Sequence, residues 1–192
     1  MSARDDMLDR IRRNQPAPVP LPAIPRFAFE GDLLERFRAG VERMGGKVVE
    51  APAGRDLGAL VRELHPSAKV VCSAVAGVKG NRKPDPANPA ALEDVDVGVV
   101  RALFGVAETG SVWLTDACFG VSALGFLSQH LVVLLDRSTI VGNLHDAYAR
   151  REAFEAGYGV FMTGPSATAD IEGVLIHGAQ GIRSLTVVLT FP

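Results

Sequence analysis

The chain has 192 residues, of which 47% are apolar and 22% charged, with a formal net charge of −2; that length suits one domain with a substantial core and is short for two. Basic residues are dispersed, with Arg10, Arg12 and Arg13 the densest group, and no basic stripe alternates with aromatics, which argues against nucleic-acid binding. No run reaches the ~20 apolar residues that span a bilayer. The charged segment from Met1 to Asp9 does not read as a signal peptide, so a cytoplasmic location without membrane insertion is expected.

In chain order, Asp5 to Arg13 has the spacing of a short helix that buries Met7, Leu8 and Ile11 on one side. Pro16, Pro18, Pro20, Pro22 and Pro25 then force an extended arm, because proline resists both helix and central strand. Residues 1–26 are accordingly read as an N-terminal helix and proline-rich arm, and residues 27–192 as one domain. Glu30 to Met44 predicts a helix with Leu33, Leu34, Phe37, Val41 and Met44 on one face, stopped by Gly45-Gly46. A strand at Val48-Val49, a helix near Asp56–Leu64 and a buried strand from Lys69 to Ser73 follow. Gly77 to Pro89 reads as an exposed loop, and its Gly80-Asn81-Arg82-Lys83 tract is a small basic patch.

Phe104–Glu108 and Ser111–Thr115 flank Thr109-Gly110 as the arms of a hairpin. Leu131 to Leu135 is an unbroken apolar run, as in a strand covered on both faces. Asn143 is placed to start a helix through Leu144, Tyr148, Arg151 and Phe154, and Val160–Met162 and Leu185–Leu189 supply two more strands. Alternating strands and helices argue for an α/β domain whose sheet is largely parallel and sandwiched by helices.

The stretch with the densest chemistry is Thr163-Gly164-Pro165-Ser166-Ala167-Thr168-Ala169-Asp170-Ile171-Glu172. A strand is expected to feed a tight Gly-Pro loop and then a helix capped by Ser166 or Thr168, with Asp170 and Glu172 near its positive end. Such a hydroxyl-rich strand-to-helix junction suits an anionic ligand, and equally suits a well-capped helix with no ligand. No Gly-x-Gly-x-x-Gly or Gly-x₄-Gly-Lys-Ser/Thr loop is present, and the Gly120–Gly125 segment lacks the spacing of a nucleophile elbow. Cys72 and Cys118 are too few for a four-cysteine cluster, and His65, His130, His145 and His177 show no paired metal-ligand spacing.

The segment Gly164-Pro165-Ser166-x-Thr168-Ala169-Asp170-Ile171-Glu172 resembles the GPSRTADIE signature of the lactate utilization protein C (LutC/YkgG) family, which is built on the LUD domain. Upstream, Ala107-Glu108-Thr109-Gly110-Ser111 is similar to that family's AETGT element. The resemblance runs from about Ala68 to the C-terminus. Ala167 stands where the family usually has Arg, and Gly178-Ala179-Gln180-Gly181 where Gly-x-His-Gly-Pro is common. The resemblance implies the fold shared by glucosamine-phosphate deaminase, ribose-5-phosphate isomerase and the CoA-transferases. It also implies a part in oxidising L-lactate to pyruvate, beside cysteine-rich iron–sulfur partners that would carry the clusters, with no cofactor bound by this chain alone.

Two readings of the site follow. In one, Thr109, Gly110, Ser111, Gly164, Pro165, Ser166, Thr168 and Asp170 bind a small carboxylate or other anion within a lactate-oxidising assembly or a homo-oligomer. In the other, a stand-alone acyl or CoA transferase uses Glu108 as its catalytic nucleophile, because a partly desolvated carboxylate at a strand end can serve as acid, base or nucleophile. Against both stands a purely structural role, in which Glu108 accepts backbone hydrogen bonds and pins the hairpin. His130 is a further proton-transfer candidate, and His177 is placed near the end of the C-terminal helix.

Overall fold

The computed structural model describes residues 2–25, 27–29, 31–165, 167–168, 174, 176–177 and 180–191, with the backbone alone for residue 177. Helix α1 is Ala3–Arg13, capped by Ser2, whose side chain accepts from the Asp5 amide while Asp5 accepts from Ser2 in return. Its apolar face is not buried as the periodicity suggests: no residue of α1 is buried, and Met7 is 64% exposed. No neighbouring element covers that face. The arm that follows carries no regular structure through residue 25, and Val19, Leu21 and Ile24 lie in the open.

The elements that build the core begin at Asp32. The Asp32 carboxylate caps helix α2, Leu33–Arg43, by accepting from the amides of Leu34 and Glu35. Strand β1, Lys47–Glu50, leads to helix α3, Leu57–Leu64, which Asp56 caps through the Ala59 amide. Strand β2 is Val71–Ser73 and strand β3 is Val97–Arg101. The hairpin arms are β4, Phe104–Val106, and β5, Ser111–Thr115. Short helices α4, Asp116–Phe119, and α5, Leu124–Leu127, precede strand β6, His130–Asp136. After α6, Leu144–Tyr148, come β7, Gly159–Met162, then β8, Ala167–Thr168, β9, Ile176–His177, and β10, Ser184–Thr190.

Five strands form a parallel sheet in the order β1-β10-β6-β3-β2. The expected α/β architecture with a sandwiched parallel sheet is therefore what the chain adopts. On one face, Val97, Val99, Val132, Leu134 and Val188 pack under Val61 and the apolar side of α3. On the other, Val133, Leu135, Leu185, Val187 and Leu189 meet Phe37 and Val41 of α2, together with Val112, Leu114 and Met162. Those last three belong to a second, antiparallel sheet, β4-β5-β7. Its strands come from two excursions of the chain, one between β3 and β6 and one between β6 and β10.

Strand β3 was not expected, because Gly98 and the flanking Asp94 and Asp96 weaken its apolar pattern. The structure uses the glycine: a Cβ at Gly98 would stand 2.6 Å from Ser128 Oγ. The long helix expected from Asn143 is also broken. It ends at Tyr148 and resumes as a 3₁₀ turn over Arg151–Phe154. The break brings Phe154 against the Trp113 ring at 4.6 Å and lets Trp113 Nε1 donate to the Ala153 carbonyl at 2.9 Å. A third correction concerns the segment after Pro165. Ala167–Thr168 pairs with Ile176–His177 as a small antiparallel ribbon, so neither Thr168 nor His177 lies on a helix. Ser166, Asp170 and Glu172, which the same reading assigned to the helix start, lie outside the described residues.

Phe37 is fully buried between α2 and both sheets. Phe37→Ala is expected to cost about 3–5 kcal/mol, lowering Tm by roughly 10 °C at this size. Ile11→Ala, on the open face of α1, should stay within about 0.5 kcal/mol of the parent. Thermal denaturation followed by circular dichroism checks both.

Candidate functional site

Register brings the two sequence motifs together. In the β5–β7 pair, Val112 lies opposite Met162, which sets Ser111 beside Thr163 one step further on. Their hydroxyls meet at 2.5 Å, and the Thr109 hydroxyl lies 2.7 Å from Ser111 Oγ. The Thr109–Ser111–Thr163 relay joins residues 52 apart in sequence, with Ser111 at its centre only 4% exposed. Three hydroxyls hold three protons but need two for the bonds between them, so one O–H remains to donate outward.

Helix α2 lies directly on both motif turns. Gly110 has φ +70° and faces Gly40, where a Cβ would stand 2.7 Å from the Gly110 amide nitrogen. Gly164 has φ +81°, and a side chain there would collide with the Met44 carbonyl. Glycine is needed at 110 and 164 twice over, for the left-handed backbone and for the close approach of another backbone. Pro165 is buried beside Gly164, while Thr168 in β8 is half-buried.

Glu108 does not sit in an apolar pocket. Its side chain is exposed, and Oε2 accepts from the Leu144 amide at 3.0 Å. Asn143 accepts from the Asp146 amide in the same turn, so the two side chains together cap α6. The backbone supports the same junction, with the amides of Ala107 and Glu108 donating to the carbonyls of Val141 and Gly142. Glu108 thus ties the motif hairpin to α6. Asn143 also reaches back to donate to the Phe27 carbonyl at 2.8 Å, fixing the point where the N-terminal arm joins the domain.

His130 begins β6 at the opposite edge of the sheet from the strands' carboxyl ends. Its Nδ1 is 2.8 Å from Ser184 Oγ, and its ring stacks on His65 at 4.8 Å. The two line a cavity of about 320 Å³ with Asp96 and Arg183. Asp96 accepts from the Lys69 and Val70 amides, and these bonds hold its carboxyl below the usual range. His65 Nε2 is buried and has no hydrogen-bond partner among the described residues. Burial, followed by repulsion from His130 and Lys47, pushes its pKa below the ordinary imidazole value. The stacking of these two histidines was not foreseen, since they are 65 residues apart in the chain and single histidines carry no pairing signal.

Comparison with known proteins agrees with this architecture. The LUD domain family model matches residues 81–190, more than half of the chain, and the chain belongs to that family. Lactate utilization protein C of Geobacillus kaustophilus is 29% identical over 83% of this chain and 69% of its own length. The protein of the same name from Deinococcus radiodurans is 24% identical over 97% of this chain and 95% of its own. An uncharacterized protein of Neisseria meningitidis is 25% identical over 100% of this chain and 95% of its own. The crystal structure of a DUF162 family protein from Deinococcus radiodurans has the same fold, with a TM-score of 0.65 at 16% identity over 82% of this chain and 96% of that one.

Two expected outcomes follow from the geometry. Gly110→Ala combines a left-handed backbone with a backbone collision and should cost about 3 kcal/mol, whereas Ser111→Ala should cost about 1–2 kcal/mol by stranding two hydroxyls; urea denaturation measures both. For His65, the folded state disfavours the proton that the unfolded chain takes up near the ordinary imidazole pKa. Its contribution is complete above that pH and is lost as pH falls toward the depressed folded value. The urea midpoint should therefore drop between pH 7.5 and 5.5, and His65→Gln should drop less.

Proposed function

We propose that this LUD-domain chain is the C-type component of an L-lactate utilization system, in which lactate is oxidised to pyruvate together with cysteine-rich iron–sulfur partner proteins. The observation that carries the reading is the union of the two motif turns at the Ser111–Thr163 hydrogen bond, against α2. Relatives named lactate utilization protein C support it, two of them aligning over more than four-fifths of this chain.

Oxidation of a hydroxy acid to a keto acid releases two electrons and two protons. With two cysteines, this chain is too poor in thiolates for a four-cysteine cluster, so the reading assigns the electron carriers to the partners. The chain's own share is to hold a small carboxylate or other anion. The outward O–H of the Thr109–Ser111–Thr163 relay supplies a donor, and a charged acceptor strengthens such a bond. An acyl-transfer role for Glu108 draws no support from its setting: the carboxylate is exposed and engaged with the Leu144 amide, as an anchor would be.

Deleting the gene in the source organism should abolish growth on L-lactate while leaving growth on pyruvate unchanged. The tagged chain, recovered from lactate-grown cells, should bring with it proteins that absorb broadly near the iron–sulfur charge-transfer bands. Normal growth of the deletion strain on lactate, with the tagged chain recovered alone, overturns the reading.

A further inference from the structure

Helix α3 with the loop before it, the segments flanking β2 and the end of β3 carry positive charge that neither motif uses. A cavity of about 460 Å³ opens there, lined by Arg55, Arg62, Lys79 and Arg101. Two smaller cavities, of about 310 and 280 Å³, adjoin it at Lys79 and add Lys69, Arg82 and Lys83. In a chain of net charge −2, this is a strong segregation of cations on one edge.

The acids nearby are largely committed. Arg55 pairs with Glu63 and Arg82 with Asp94, while Asp56 is used as the cap of α3. Arg101 lies within electrostatic reach of Asp136. Arg62 and Lys79 form no salt bridge among the described residues, while Asp56, which also lines the cavity, lies within electrostatic reach of Arg55 and Arg62. The backbone adds donors: the amides of Ala76 and Gly77 bond to no group among the described residues, and Gly77 turns the loop with φ +83°. Gly58 keeps the floor open, because a Cβ there would stand 3.2 Å from Asp56 Oδ1 and 3.6 Å from both Arg62 Nη1 and the Lys79 amide nitrogen.

We propose that this groove binds an organic polyphosphate, its phosphates among Arg55, Arg62, Lys79 and Arg101 and its organic part in the adjoining cavity against Val61, Ala68 and Val71. A single carboxylate would leave most of the space unfilled. The main cavity is within the range of sites that enclose drug-sized ligands. The carboxyl edge of a parallel sheet is also where such folds bind ligands. No aromatic side chain lines any of the cavities, which argues against stacking on a nucleic-acid strand. The groove shares no residue with the Thr109–Ser111–Thr163 relay, so this inference stands or falls separately from the lactate reading.

Isothermal titration of the full chain with ATP, inorganic tripolyphosphate and L-lactate tests it, in wild type, an Arg62→Ala/Lys79→Ala double variant and an Arg13→Ala control. ATP should bind saturably with Kd below about 1 mM, weaken at least tenfold in the double variant and weaken with added salt. The control should bind as wild type does. Tripolyphosphate should bind more weakly than ATP, and lactate should give no heat that the double variant removes. Absence of saturable ATP binding, or equal binding by the double variant with its thermal stability unchanged, overturns the proposal. Tripolyphosphate binding as tight as ATP overturns its organic part.

Discussion

The pairing of β5 with β7 is the constraint on which the candidate site depends. Each strand belongs to a different excursion from the parallel sheet, and nothing in the backbone between them forces the two to meet. Their register is held by the apolar side chains it buries. Val112, Leu114 and Met162 face the main core, while the Trp113 and Phe161 rings meet on the other side with centroids 4.5 Å apart and planes tilted by 49°. A slip of one residue would turn Trp113 into the core and Val112 outward, so the register is strongly specified. Gly159 sharpens this further, because any side chain there would collide with the Trp113 ring. Once Val112 and Met162 are opposed, Ser111 and Thr163 have no choice but to be neighbours.

Helix α2 turns that pairing into a rigid corner. It approaches the hairpin turn backbone to backbone at Gly40 and Gly110, and its end lies on Gly164. Side chains with free rotamers usually separate packed elements. Here they are absent, so the position of the turns follows that of the helix with little slack. Phe37, about one turn before the glycine contact, and Val41, next to it, are fully buried and supply the apolar grip that holds the helix down. The N-terminal part of the domain therefore shapes a site whose polar groups all come from the C-terminal two-thirds.

Much of this was legible in the sequence, for local reasons. The Thr109-Gly110 hairpin is set by a residue that tolerates φ > 0 between two apolar arms, and β6 and β10 by apolar runs long enough to be buried on both faces. What escaped depends on contacts between distant residues. Strand β3 carries a glycine that only Ser128 and Leu124 explain, and the break after Tyr148 exists to serve Trp113. The small ribbon of Ala167–Thr168 with Ile176–His177 was read as a helix start because Ser, Thr and Asp after Gly-Pro suit a cap and a turn equally well. Glu108 shows the same limit at the level of chemistry. The strand ends at Val106, two residues earlier than its apolar pattern suggests, which leaves Glu108 in the turn, and its exposure depends on where α6 lies, which is what it caps.

The basic groove was only partly visible, as the Gly80–Lys83 tract, since its main cations come from segments separated by up to 46 residues. In a parallel sheet all strands end on one edge, but β1 and β2 lie at opposite ends of this one, and it is α3, crossing the face between them, that carries Arg55 and Arg62 toward Lys79 and Arg101. The same rule puts the starts of β3, β6 and β10 together on the opposite edge, where Asp96, His130 and Ser184 meet. Much of that charge is balanced within the fold: Arg55 pairs with Glu63, Arg55 and Arg62 attract Asp56, and Arg101 attracts Asp136. Lys79 forms no salt bridge among the described residues, and charge left over from internal pairing acts on what approaches from solvent. Any ligand that bound the folded chain there would stabilise it by mass action, so occupancy of the groove would be coupled to the folding of α3 and the loop after β2.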